Sequence, residues 1–243
     1  MGYLYNDILC SGRKKMAMLI DPDSFSLDSM ERLGRLLAAA PPDILLVGGS
    51  LVSTSVDDFV LLLKTITTLP IVLFPGNAVQ FAPSADGLLL LSLISGRNPE
   101  FLIGQQVVAA PAIAASSVEV IPTGYMLIDG GAVTSVQYMS CTQPIPATKS
   151  DIAVATAQAG QLLGLGAIYL EAGSGARHHV PFEMISAVAG AIDIPLIVGG
   201  GIRDAETAAR ICQAGADMIV VGSALEKDPS MLVELREAVQ KSN

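Results

Sequence analysis

Two short aliphatic runs near the C-terminal end of the chain each finish in glycine. The first, residues 194–203, reads Ile-Pro-Leu-Ile-Val-Gly-Gly-Gly-Ile-Arg, and the second, residues 217–223, reads Asp-Met-Ile-Val-Val-Gly-Ser. A continuous β-branched run predicts a buried parallel strand, and glycine at its end lets backbone N–H groups approach an anion. In (β/α)8 barrels a phosphate is commonly held after the seventh and eighth strands, which predicts the phosphate-binding end of such a barrel. Glycines that only serve tight turns would give the same pattern.

Strand-like and helix-like segments alternate along the whole chain, as in a parallel α/β sheet. The first helix is predicted to begin at Ser26 and Asp28. Six further strands are predicted at residues 16–21, 43–47, 71–74, 86–91, 119–129 and 167–172. Eight strands in 243 residues predict an α/β protein with one (β/α)8 TIM barrel as a single domain, residues 1–243.

Two connections depart from the regular pattern. Residues 75–83 contain two prolines and a glycine and have no helical repeat, so the third helix is predicted to be missing or irregular. Residues 130–148 are predicted to form a long loop or hairpin, which makes that segment a functional candidate.

Composition restricts the function classes. The formal net charge of −9 argues against a nucleic-acid-binding protein, so an anion has to be held locally by loops. Cys10, Cys141 and Cys212 are far apart and lack metal-ligand spacing, which is typical of reduced thiols. Neither a signal peptide nor an apolar run long enough to span a membrane is evident, and we expect a cytoplasmic protein.

Several polar residues are predicted to lie at strand C-termini, which share one face of a barrel. Asp21 ends the first strand, Ser50 follows the second and Glu171 ends the sixth. A carboxylate beside a bound phosphate suggests Mg²⁺, which takes one or two carboxylates and completes its coordination with substrate phosphates. Asp21 is therefore the candidate metal ligand, although an Asp before Pro22 is also a common turn residue.

The motifs together resemble the geranylgeranylglyceryl phosphate synthase family, in order along the whole chain. They are Ile-Asp-Pro-Asp from Ile20, Val-Gly-Gly-Ser from Val47, Pro-Thr-Gly-Tyr from Pro122, Pro-Ile-Pro from Pro144, Tyr-Leu-Glu-Ala-Gly-Ser-Gly from Tyr169, and the two C-terminal glycine runs. Gly-Gly-Gly-Ile recurs among phosphate-binding barrels, whereas the motif from Tyr169 combined with the one from Ile20 is more specific.

The resemblance implies a prenyltransferase that joins geranylgeranyl diphosphate, or a related prenyl diphosphate, to the 3-hydroxyl of sn-glycerol 1-phosphate. It implies Mg²⁺ bound by Asp21 and Ser50, with Asp21 and Glu171 catalytic. Glu171 is expected to bind the glycerol hydroxyls and take the proton. The implied substrate-binding residues are Tyr125, Tyr169, Leu170, Glu171, Ala172, Gly173, Ser174, Gly175, Gly200, Gly201, Gly222 and Ser223.

One branch of that family carries a lysine two residues before the metal-binding Asp, and this chain has Leu19 there. It therefore resembles the other branch, and Lys14 and Lys15 have no assigned role. Loss of the third helix would open a trough for the prenyl chain, with Tyr125, Phe101 and Val79 as candidate lining residues.

Arg177, His178 and His179 are candidates for contact with diphosphate, with a solvated loop as the alternative for the histidines. The apolar composition and the resemblance favour a homo-oligomer, a dimer or a hexamer. The alternative functions are a phosphate-barrel isomerase or lyase acting on a small phosphorylated metabolite, and a non-catalytic phosphate-binding protein. The isomerase is disfavoured because the predicted strand ends offer no lysine.

Overall fold

Eight parallel strands close into a barrel in the computed structural model, which describes residues 2–24 and 27–243. Each strand pairs with its neighbours in chain order, and the first pairs with the eighth. The strands are β1 Lys15–Ile20, β2 Ile44–Val47, β3 Ile71–Leu73, β4 Gly87–Leu93, β5 Glu119–Leu127, β6 Ala167–Glu171, β7 Leu196–Gly199 and β8 Met218–Val221. The predicted barrel is thereby confirmed.

Helices alternate with these strands and surround them. The α-helices are α1 Leu27–Ala39, α2 Val56–Lys64, α3 Gln105–Ala114, α4 Ser135–Ser140, α5 Ser150–Leu162, α6 Phe182–Ala189, α7 Ala205–Gln213, α8 Ser223–Lys227 and α9 Met231–Gln240. A π-type turn, Glu100–Gly104, leads into α3. Ser26, predicted to begin the first helix, lies outside the described residues.

The strands are aliphatic because both of their faces are covered. Every residue of β2, β7 and β8 is buried. Alternate side chains point to opposite faces of a strand. In β6, Tyr169 therefore belongs to the barrel interior, while Ile168 and Leu170 pack in the layer between barrel and helices. This alternation turns Tyr169 and Glu171 toward the inside of the barrel.

The third helix is absent, as the two prolines predicted. A single 3₁₀ turn, Ala78–Gln80, lies between β3 and β4. The Asn77 side chain caps it by accepting a hydrogen bond from the Val79 N–H at 3.1 Å. One part of the outer helical ring is therefore thin, and it lies beside the C-terminal ends of β3 and β4.

The opposite end of the barrel is closed by an N-terminal π-type helix, Leu4–Leu9, whose residues Leu4, Ile8 and Leu9 are buried. The Glu119 carboxylate caps it by accepting hydrogen bonds from the N–H groups of Gly2, Leu4 and Tyr5, each at 2.9 Å. Among the described residues, the large cavity of the barrel opens at the strand C-termini.

The long connection after β5 differs from the predicted loop or hairpin. It contains the short helix α4, whose first turn is capped by Thr134. Ile145 then forms an isolated parallel bridge with Ile128. The segment is therefore an ordered cover over the barrel mouth. Within the described residues, no helix is both long enough and apolar enough to cross a bilayer.

Candidate active site

A cavity of about 650 Å³ opens at the C-terminal ends of the strands. Residues from loops throughout the barrel line it. It brings together nine of the predicted site residues, namely Asp21, Ser50, Tyr125, Tyr169, Glu171, Ser174, Gly200, Gly222 and Ser223. The strand-end argument therefore located the cavity correctly, and the role of each residue stays a prediction.

The loops after β6 and β7 depend on glycine. Gly173, Gly175, Gly200 and Gly201 have φ of +97°, +76°, +83° and +72°, a region that residues with a Cβ rarely occupy. A Cβ on Gly200 would lie 2.6 Å from the Gly173 nitrogen and 2.8 Å from that of Ala172. The two loops therefore pack backbone against backbone.

A short helix completes this end of the cavity. Helix α8 starts directly after β8, with Gly222 and Ser223 on the cavity wall. The loops after strands seven and eight, together with the N-terminus of a short extra helix, form the usual phosphate site of a TIM barrel. The described lining residues include no Lys, Arg or His. An anion here would be held by backbone N–H groups and hydroxyls.

Glu171 is the buried carboxylate of the site, with 6% of its surface exposed. Its Oε1 accepts a hydrogen bond from the Gly173 N–H at 2.6 Å. Burial raises the pKa of Glu171 from 4.5 to about 7, against the opposing effects of the Gly173 N–H and the Tyr169 hydroxyl. A carboxylate with a pKa near neutrality can accept a proton and release it again, as a general base requires.

Three aromatic rings surround the deep part of the cavity. Phe74 stacks on Tyr169 with centroids 5.2 Å apart, and Tyr125 lies 5.9 Å from Phe74 and 5.4 Å from Tyr169. All three line the cavity. The phenol groups of Tyr125 and Tyr169 stay neutral because burial, followed by the Glu171 charge, raises both pKa values well above 10.0.

A second group of oxygen ligands lies across the cavity. The Asp21 carboxylate is so close to Gly49 that a Cβ there would lie 3.0 Å from Oδ2, and Ser50 follows on the cavity wall. Burial raises the pKa of Asp21. Glu226 of α8 also lines the cavity, and its pKa is raised by burial and by the Asp21 charge. Two carboxylates are therefore electrostatically coupled here.

Asp23 holds the loop that carries Asp21. It accepts hydrogen bonds from the N–H and hydroxyl of Ser53 and from the N–H of Thr54, at 2.8 to 2.9 Å. Hydrogen bonding with the Thr54 side chain, followed by the bonds from the N–H groups of Ser53 and Thr54, keeps the pKa of Asp23 well below its usual range. The loops after β1 and β2 are therefore joined directly beside the oxygen ligands.

The rest of the cavity is an apolar trough beside the missing helix. Its walls come from β4, the π-type turn and α3, with Leu88, Leu90, Leu91, Leu93, Phe101, Ala109 and Ile113 on the surface. Tyr125 and Phe101 line it as predicted. Val79 does not, because its side chain is 86% exposed outside the cavity.

Several of the predicted site residues do not line the cavity. The side chains of Leu170 and Ala172 are buried between barrel and helices, and Gly201 packs on the backbone of His178 and His179. Gly173 and Gly175 shape the loop without lining the cavity. The residues after them, Arg177, His178 and His179, are also not lining residues. The N–H groups of Arg177 and His178 donate to the Gly130 carbonyl at 2.8 and 3.0 Å.

Lys14 and Lys15 lie at the other end of β1. Lys14 pairs with Asp217 at 3.5 Å and Lys15 with Asp43 at 3.4 Å, so neither reaches the cavity. Leu19 does line it and packs on Gly222, 3.3 Å from where a Cβ there would lie. The position that carries lysine in one branch of the resembled family is therefore an apolar wall here.

Sequence reasoning missed Glu226, Phe74 and Gln80. Glu226 lies four residues after Gly222, the glycine that follows the eighth strand. In a helix, that spacing is about one turn, so Glu226 could have been predicted to lie near the candidate phosphate-binding loop. Phe74 ends the third predicted strand. The rule that the C-terminal ends of the strands share one face of the barrel, which placed Asp21 there, could also have placed Phe74 there. Gln80 had no distinguishing signal.

The oxygen set suits a hard cation. Carboxylate and hydroxyl oxygens are preferred by Mg²⁺. Glycine at position 49 leaves room for Oδ2 of Asp21, while Oδ1 accepts a hydrogen bond from the Asp23 N–H at 3.0 Å. No group of three or more His, Cys, Asp or Glu side chains is arranged around a common point among the described residues. A cation would therefore need ligands from a substrate as well.

Comparisons with known proteins show what the chain is similar to. The model of the PcrB family matches residues 11–240. A geranylgeranylglyceryl phosphate synthase from Chitinophaga pinensis is 51% identical over 240 residues, covering 97% of this chain and 95% of the relative. One from Methanothermobacter marburgensis is 39% identical over 238 residues, covering 97% and 96%.

Two solved structures are similar to this chain. The (S)-3-O-geranylgeranylglyceryl phosphate synthase from Thermoplasma acidophilum, in complex with sn-glycerol-1-phosphate, matches with a TM-score of 0.92 and 33% identity, covering 99% of this chain and all of that one. A thiamine phosphate pyrophosphorylase from Pyrococcus furiosus matches with a TM-score of 0.62 and 15% identity, covering 98% of both chains. That second similarity shows only the fold.

Proposed function

The chain belongs to the PcrB family, and on that basis we propose that it transfers a prenyl group from geranylgeranyl diphosphate, or a related prenyl diphosphate, to the 3-hydroxyl of sn-glycerol 1-phosphate. The products are geranylgeranylglyceryl phosphate and diphosphate. The observation that carries the proposal is the single cavity that joins a glycine-lined anion site to an apolar trough. The named relatives and the glycerol phosphate bound by the Thermoplasma protein support it.

Glycerol phosphate binds at the end formed by the loops after β6, β7 and β8. Its phosphate accepts hydrogen bonds from backbone N–H groups around Gly200, Gly222 and Ser223, where no side chain blocks close approach. The glycerol hydroxyls then reach Glu171, which lies beside these loops. A phosphate fixed at one end and a carboxylate at the other define which hydroxyl reacts.

The transfer forms one carbon–oxygen bond and breaks another. The 3-oxygen of glycerol phosphate bonds to the allylic carbon, the bond from that carbon to the diphosphate oxygen breaks, and the hydroxyl proton moves to Glu171. Glu171 suits this step because burial brings its pKa to about 7. General base catalysis of this kind contributes on the order of 10²- to 10⁴-fold in rate.

Asp21 and Ser50 would hold Mg²⁺ together with the diphosphate, and Glu226 is close enough to add to the negative potential there. The bound cation would neutralise charge on the departing diphosphate. The Asp21 carboxylate, held beside Gly49, is oriented into the cavity for that role.

The prenyl chain occupies the apolar trough. Leu88, Leu91 and Phe101 offer a surface without charged groups, in the gap left by the missing third helix. The Phe74 ring, which stacks on the ring of Tyr169, lines the same cavity as Ser50. Aromatic faces attract cations, so this ring is placed to stabilise positive charge that develops on the allylic carbon.

A homo-oligomer, dimer or hexamer, is part of the proposal. Residues 101–118 carry no charge, and Ile103, Val107 and Val108 are more than half exposed on the outside of this segment. A helix that is apolar on its outer face is normally covered. Light scattering should give a multiple of 25.2 kDa. Val108→Glu should reduce this mass, whereas Leu163→Glu, at the exposed residue that follows α5, should not. A wild-type monomer would contradict this.

The cytoplasmic location is likewise proposed, and cell fractionation tests it. The enzymatic function is tested by incubating the protein with labelled geranylgeranyl diphosphate, sn-glycerol 1-phosphate and Mg²⁺. We expect an ether-linked phospholipid precursor, and no product after removal of divalent cations with a chelator. Conversion of a small phosphorylated metabolite without the prenyl donor would favour the isomerase or lyase instead.

A further inference from the structure

Gln80 is a buried polar residue in the turn that replaces the third helix. Only 2% of its surface is exposed, and it does not line the cavity. Burying an amide side chain is unfavourable unless its polar atoms are hydrogen-bonded. The contacts of this amide therefore indicate what the turn is for.

Both ends of the Gln80 amide bind loop backbone. Nε2 donates to the Gly49 carbonyl at 2.8 Å, and Oε1 accepts from the Gly76 N–H at 3.1 Å. Gly49 belongs to the loop after β2 and Gly76 to the loop after β3. One side chain thus ties together the two loops that border the proposed cation site.

The loops after β2 and β3 pack closely on each other and on Asp21. A Cβ on Gly76 would lie 2.9 Å from the Ser50 α-carbon, and one on Gly49 would lie 3.0 Å from the Asp21 carboxylate. The loop segment of Gly49 and Ser50 is therefore packed with Ser50 against the loop after β3 and Gly49 against Asp21. A shift of the Gly49 peptide would move Ser50 relative to Asp21.

The same turn also touches the trough wall. The Ala78 N–H donates to Gln105 Oε1 at 2.9 Å, and Gln105 lines the trough. Hydrogen bonds therefore run from the trough wall to the turn, and from the turn through Gln80 to the loop with Ser50.

We infer that Gln80 is a positioning residue that fixes the loop carrying Ser50 against Asp21. This inference rests on the proposed cation site. The turn Ala78–Gln80 would then both leave space for the trough and hold the oxygen ligands in place. Partners that orient metal ligands typically change metal affinity by about 10- to 100-fold when they are replaced.

Two variants and one control test this. Gln80→Met keeps the approximate size of the side chain and removes both hydrogen bonds, and Gln80→Leu removes both with a branched apolar side chain of similar size. Gln158→Met makes the same change as Gln80→Met on the exposed surface of α5. Should Gln80→Met fail to fold, Gln80→Leu still tests the loss of these bonds.

The first measurement is hydrogen exchange by mass spectrometry of substrate-free protein. In both Gln80 variants the Gly76 amide, which loses its acceptor, should exchange about 10-fold faster, the effect of losing one buried hydrogen bond, and so should the Gly48 amide, whose bond to the Ile20 carbonyl lies in the loosened loop. Amides in residues 218–225 should keep their wild-type rates, and Gln158→Met should match wild type throughout. Unchanged exchange at Gly48 in the Gln80 variants would overturn the inference.

The second measurement is Mn²⁺ binding by electron paramagnetic resonance with inorganic diphosphate present, because the site needs ligands from a substrate, and with Asp21→Asn as the reference for a lost site. Both Gln80 variants should bind Mn²⁺ about 10- to 100-fold more weakly than wild type. Wild-type affinity in both would contradict the proposed role. Equal binding by wild type and Asp21→Asn would instead refute the cation site itself, and the exchange measurement would then decide the role of Gln80 alone.

Discussion

Replacing Glu171 by Gln removes the proposed base while keeping its shape and its acceptor for the Gly173 N–H. The proton from the glycerol hydroxyl then has no carboxylate to receive it. We expect kcat/KM to fall by about 10²- to 10⁴-fold. In the wild type, only ionised Glu171 can accept the proton, so kcat/KM should rise with pH and level off above the pKa of about 7.

The same substitution should stabilise the fold at alkaline pH. The folded pKa of about 7 lies above the ordinary 4.5 because burial disfavours the charge. Neutral Glu171 therefore favours the folded state fully below pH 4.5, and this contribution is lost as pH rises to about 7. The difference corresponds to roughly 3 kcal/mol of unfolding free energy.

Urea unfolding of wild type and Glu171→Gln at several pH values measures this. The variant should gain on the wild type between pH 5 and pH 8 by up to about 3 kcal/mol, and enzyme assays over the same range should show the acidic limb only in the wild type. A stability difference that does not change with pH, or wild-type activity that is flat down to pH 5, would refute the argument that Glu171 is a buried base.

Three other substitutions test separate parts of the site. Asp21→Asn should lower turnover by about 10²-fold or more, because a group that stabilises transition-state charge is lost. The thermal midpoint of unfolding should stay unchanged. Activity near that of the wild type would contradict the proposal that Asp21 binds the metal. Gly200→Ala places a Cβ against the Gly173 nitrogen at a φ of +83°, so it should cost about 1–3 kcal/mol of stability and raise the KM for glycerol phosphate. An unaltered KM would argue against phosphate at this loop. Phe74→Leu should lower kcat by about 2- to 30-fold, with a smaller effect on the KM for the prenyl donor, because an aromatic face that stabilises positive charge is lost. A change in KM alone would indicate that the ring only contacts the prenyl chain.

The sequence was informative where one local signal determines the structure. Glycine after an aliphatic run marks a strand end, and the ends of parallel strands meet on one face of a barrel, so Asp21, Ser50 and Glu171 could be brought together without coordinates. Two prolines within residues 75–83 were enough to exclude a helix there.

The rest depends on contacts between distant segments. Glu119 caps a helix more than one hundred residues earlier in the chain, and Gln80 binds a carbonyl thirty-one residues away. Neither position carries a pattern that reveals its partner. Arg177 and the two histidines after it follow a glycine loop, yet none of them lines the cavity, and the Gly130 carbonyl holds the backbone of Arg177 and His178.

The most direct test is a crystal structure with sn-glycerol 1-phosphate and a non-cleavable analogue of geranylgeranyl diphosphate bound together. The account predicts the phosphate at Gly200 and Gly222, the glycerol hydroxyls at Glu171, and the prenyl tail in the trough along Leu91 and Phe101, past the turn Ala78–Gln80. A tail bound outside the trough, or a glycerol phosphate whose hydroxyls do not reach Glu171, would contradict the claim that this one cavity brings the two substrates together.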